Sequence, residues 1–183
     1  MTTLMERIGN ERRRLRSVRQ NMIAAIEQKA RGDETYVPFY IAAADYIDAT
    51  MQRVHIQDVK MEDMIREKIE TMDAGVEKAL AELQARLIGA KEHLKPFLAA
   101  RDALMEKGCE ALEGFEKEGQ EYSDFIVANM GHHGPTADLG AKLFSGEDWE
   151  YMAGITDAEV EREAALFARV QETIPGDVKT PDA

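Results

Sequence analysis

The feature that most limits what this chain can fold into is the spacing of its apolar residues, which is helical from one end almost to the other. Leu4, Ile8, Leu15, Val18, Met22 and Ala25 recur in steps that keep them on one stripe of a helix, and "KARGDE" then ends the pattern. A second helix is expected over about 37–70, with Tyr40, Ala44, Ile47, Met51, Val54, Met61 and Ile65 on its seam and Pro38 in its first turn. "TMDAG" closes it. The third begins near 74 and carries Val76, Leu80, Leu83, Leu87, Ala90, Leu94 and Phe97, with Pro96 expected to kink it before a break at "KGC". The fourth carries Ala111, Phe115, Tyr122 and Phe125. Four such helices with short connections predict an all-α, up-down antiparallel four-helix bundle over 1–131.

Beyond "GHHGP" the pattern breaks into shorter pieces. Ser145 with Asp148 reads as an N-cap, and "TDAE" at Thr156 to Glu159 as a capping box opening a helix to about Thr173. These predict short C-terminal capping helices over 132–175. "PGDVKTPDA" offers almost nothing to bury, and 176–183 is expected to be a disordered tail.

Charge limits the partners. The formal net charge is −12, from 35 acidic and 23 basic residues, which argues against nucleic acid. No run of 18 apolar residues and no signal-peptide core occurs, so neither export by that route nor a membrane partner is expected. The single cysteine, Cys109, excludes an internal disulfide and a cysteine zinc cage, and fits a cytoplasmic location. The charge is also uneven. Six arginines stand against two glutamates in residues 1–20, and ten acids against three bases in 145–183. "ERRRLRSVR" reads as a solvated helix face or as a groove for an acidic partner, including the chain's own C-terminal region.

Inward positions of a bundle should be apolar, so polar residues there are informative. Glu11 interrupts the first seam, Asp58 the second with His55 a turn earlier, and Glu118 the fourth, which continues into Asn129 and His132. His93 lies beside the third seam. Counting outward from a turn near residue 33 puts Glu11 and His55 at the same height, about 22 residues from it at about 1.5 Å of rise each. Asp58 follows one turn on. A buried carboxylate needs a cation. One answer is a metal, and carboxylate with imidazole suits iron, manganese or zinc. The other is an arginine, with Arg12, Arg53 and Arg86 as the available partners.

The segments "YIAAADYIDATMQRVHIQDVKMEDMI" and "FIVANMGHHGPTAD" resemble the hemerythrin-like, cation-binding four-helix bundles. The resemblance implies a metal site that ends on a histidine followed five residues later by an aspartate, a spacing shown by His133 and Asp138. It also implies a histidine–acid pair on the second helix, where His55 and Asp58 stand, although the family spacing would put the acid at Val59. Glu11 occupies the place of the first-helix histidine, and the third helix offers only His93. With four histidines in the chain, a five-histidine reversible oxygen carrier is not expected.

His132 and His133 lie at the expected end of the fourth helix, where the helix dipole favours a protonated imidazole, or else at the mouth of the bundle as ligands. Tyr36, Tyr40, Tyr46 and Tyr122 read as core residues with wet hydroxyls. The leading expectation is a helical bundle that binds or senses a metal ion through Glu11, His55, Asp58, His93, Glu118, His132, His133 and Asp138. Its rivals are a metal-free interaction module, including a homo-oligomer, and a bundle holding a small organic ligand near Tyr40, Tyr122 and Asn129.

Overall fold

The structure is a computed structural model and describes residues 4–28, 30–129 and 134–178. It is all-helical, with no strand among the described residues. The helices are α1 (Leu4–Glu27), α2 (Tyr36–Lys68), α3 (Ala74–Lys107), α4 (Leu112–Ala128), α5 (Gly134–Leu143), α6 (Gly146–Ala153) and α7 (Asp157–Thr173). A 3-10 turn over Gly108–Ala111 joins α3 to α4.

Local chemistry sets most boundaries. Asp73 caps α3, its carboxylate accepting from the Gly75 and Val76 amides, so the orphan donors of the first turn are satisfied. The helix then runs unbroken through Pro96 and ends at Gly108, whose φ of 56° is a conformation that glycine adopts without a Cβ clash. Both C-terminal N-caps form complete capping boxes, Ser145 with Asp148 and Thr156 with Glu159.

The long helices close on one another: α1 packs on α2, α2 on α3, α3 on α4, and α4 returns to α1. The C-terminal region is more than a cap. Glu163 reaches Arg53, Arg169 reaches Asp45 and Asp177 reaches Tyr36, so α7 and the residues after it run antiparallel along α2. Val170 is fully buried, with Leu166 and Phe167 packed beside it. The expected loose tail is corrected at its start. Asp177 accepts a 2.8 Å hydrogen bond from Tyr36, and Val178 joins the core. Residues 179–183 lie outside the described residues.

The apolar core is in two parts. The larger combines Val18, Met22, Phe39, Tyr40, Phe97 and Phe115 with their neighbours, and Phe97 stacks on Tyr122 at 5.2 Å. The smaller gathers Met61, Met64, Ile65, Val76, Leu80 and Phe144 at the other end of α2. Between them, at the level of Glu11 on α1 and Asp58 on α2, the interior turns polar.

Candidate functional site: an arginine-walled cavity

The polar level contains two ion-paired groups, Arg53 with two carboxylates and Arg86 with Asp58. Arg53 donates from Nε to Glu11 at 2.9 Å and from Nη2 to Glu163 at 2.6 Å, tying α1 and α7 to α2. Tyr46 donates to the same Glu163 at 3.2 Å. On the side facing α3, Arg86 Nη2 meets Asp58 at 2.9 Å, with both side chains at least nine-tenths buried. Burial pushes the Asp58 carboxyl above the usual carboxylate range, against the pull of Arg86, Arg12 and His55. Glu11 and Asp58 turn to different neighbours, Glu11 to Arg53 and Asp58 to Arg86. Each has an arginine as its counter-ion.

The described members of the expected donor set do not gather into a cluster that could hold a metal. No group of three or more His, Cys, Asp or Glu side chains among the described residues could hold an ion. Glu11 and Asp58 would each have to give up a guanidinium to serve. Half-buried His55 lies near Asp58, so its charge acts on that carboxylate. The His93 ring stacks on Phe125 at 4.4 Å, and its Nδ1–H donates to the Gly89 carbonyl at 2.8 Å. Glu118 meets Lys117 at 3.2 Å near the surface, and Asp138 is exposed. His132 and His133 lie outside the described residues. Of the tyrosines, Tyr40 sits deep in the larger core and donates to Glu116 at 3.1 Å.

Beside the Asp58–Arg86 pair the interior opens into a cavity of about 320 Å³ among α1, α2, α3 and α4. Leu15, Ile47, Met51, Val54, Ala90 and Ile126 form its apolar surface. Tyr122 and Asn129, two of the three residues expected to contact a small ligand, stand in the wall contributed by α4. The remaining wall is cationic: Arg12, Arg16, Arg19 and Arg86, with no carboxylate among the lining residues.

The spacing of Arg12, Arg16 and Arg19 puts them on one face of α1 around Leu15, spread over about 10 Å of helix axis. None of the three is within salt-bridge distance of a carboxylate among the described residues. Arg19 instead donates to the Ser123 hydroxyl on α4 at 2.8 Å. Burial pulls its pKa below the ordinary arginine value. Like charges four apart on a helix cost about 0.2–0.5 kcal/mol, and no ion pair among the described residues offsets them. In a chain where acids outnumber bases 35 to 23, that is a choice against composition. In the sequence this stripe reads as a solvated face or as a groove for an acidic partner. Its shared face with Leu15 was the available signal of a cavity wall.

A second cavity, of about 270 Å³ between α2, α6 and α7, differs in kind. It mixes both signs, with Arg53, Lys60 and Arg162 beside Glu159 and Glu163.

No family model, curated protein or solved structure matches the chain, and nothing in these comparisons identifies a hemerythrin-like family. No helix among the described residues is long and apolar enough to cross a membrane.

Proposed function

We propose that the protein is a helical-bundle module that holds a small organic ligand in the cavity enclosed by α1 to α4. The observation that carries this reading is the cavity itself: a space at the small end of the range for ligand pockets, with a mostly apolar surface and a few convergent polar groups. A bundle core is a common place for such a site, because facing helices supply side chains from several directions. The metal alternative would need Glu11 and Asp58, which already pair with Arg53 and Arg86, whereas the cavity needs no rearrangement of the ion pairs.

The test is a fragment screen read by methyl NMR, with neutral and charged members. Ligands are expected to shift the methyl signals of Met51, Ala90 and Ile126, and Ala90→Phe, which fills the space, is expected to abolish the Met51 and Ile126 shifts while leaving the fold intact. A screen in which no fragment moves those methyls would overturn the reading.

A further inference from the structure

Resting on that reading, we infer that the ligand is an amphipathic organic anion, an apolar body with one carboxylate head, and that Arg19 is the residue that clamps the head. Three observations converge on it. Among the described residues the cavity wall carries four guanidiniums and no carboxylate, in a chain whose net charge is −12. Arg86 is already answered by Asp58 at 2.9 Å, so the guanidiniums with no ion-pair partner among the described residues lie on the α1 side, at Arg12, Arg16 and Arg19.

Arg19 is the half-buried member of that trio, whereas Arg12 and Arg16 are exposed. Its guanidinium is held by the Ser123 hydroxyl of α4 at 2.8 Å, a neutral partner that orients the fork without cancelling its charge. The Asp58–Arg86 pair, on the opposite wall, already shows a carboxylate held by guanidinium within this interior.

The apolar surface from Leu15, Ile47, Met51 and Val54 then takes the ligand's body. Arg12 and Arg16 stand at the mouth, where they raise the local concentration of anions and speed entry. A cationic amphiphile meets the same apolar surface but three like charges. A neutral one gains the apolar contact alone.

Calorimetric titration of the full chain with octanoate, 1-octanol and octylammonium distinguishes these cases. Octanoate is expected to bind about 10- to 100-fold more tightly than octanol, the size of a charge-assisted hydrogen bond, and octylammonium not measurably. Arg19→Gln should remove that preference, and Arg19→Lys should restore only part of it, because a point charge lacks the fork. Exposed Arg16→Gln gives the same reading without risk to folding, with octanoate weakened severalfold and its salt dependence reduced. Octanol binding as tightly as octanoate, with Arg19→Gln and Arg16→Gln both without effect, would overturn the anion assignment and leave the cavity reading standing. Failure of all three ligands to bind would overturn both.

Discussion

The arginines at the middle of this protein fall into two groups that differ in what surrounds them. Arg53 and Arg86 point at buried carboxylates and join helices together; Arg12, Arg16 and Arg19 line a cavity and meet no acid among the described residues. The same residue type, within a few turns of helix, does two kinds of work. A guanidinium that closes an internal ion pair is part of the fold, and its loss leaves an uncompensated buried charge. A guanidinium left facing a cavity beside others of its kind raises the energy of the empty protein slightly, and only an anion from outside relieves it.

Removing a partner from the first group should give the largest effect. Asp58→Ala leaves Arg86 buried without its carboxylate and is expected to destabilise by about 3–5 kcal/mol in urea unfolding. The double variant Asp58→Leu with Arg86→Met should recover most of that loss. A single variant as stable as the parent would show that the pair is solvated and that the division between the groups is not real.

Gly89→Ala comes next. A Cβ there would clash with the Phe125 ring, which is itself stacked on His93. The ring must move, at a cost of about 1–3 kcal/mol by the same unfolding assay. Since Ala90 and Ile126 beside it line the cavity, octanoate binding should also weaken, with the Asp58–Arg86 pair unaffected.

The pH dependence is smaller and its sign is fixed. Asp58 has a folded-state pKa raised by burial, so the folded protein holds that proton more tightly than the unfolded chain. The stability this contributes is fully present below the unfolded carboxyl value and is lost as pH rises through the folded one. Measured against Asp58→Asn, the parent should therefore lose stability with rising pH, starting near the ordinary carboxylate range. A parent that gains stability over that window would mean the Arg86 and Arg12 charges outweigh burial.

The smallest effect has the opposite direction. Arg16→Gln relieves repulsion with Arg12 and is expected to stabilise the empty protein by about 0.2–0.5 kcal/mol. A loss of more than that on unfolding would place Arg16 with the structural group.

Much of the fold could be read from residue spacing alone. The seams at Val18, Met22, Ile47, Ile65, Leu80, Leu83 and Phe97 are all buried, and both C-terminal capping boxes form as their residue order requires. These are local or periodic signals that one stretch of chain carries by itself. The site was harder. Counting from the turn puts Glu11 level with His55 and Asp58 one turn on, and Arg12, Arg53 and Arg86 are the available partners, yet nothing in the spacing tells a metal from a guanidinium. That choice depends on how far an arginine reaches across to a neighbouring helix. The cavity was less legible still, because Leu15 and its flanking arginines read equally well as a seam with a wet border. The role of α7 was underestimated for a related reason: Glu163 and Phe167 find Arg53 and Tyr46 more than 100 positions earlier in the chain.

Arginine side-chain NMR during an octanoate titration observes both groups in one sample. The Nε–H signal of Arg19 is expected to shift saturably with ligand while those of Arg53 and Arg86 stay in place. Equal movement of all three, or movement of Arg86 with Arg19 silent, would contradict the division between guanidiniums that hold the fold and guanidiniums that await an anion.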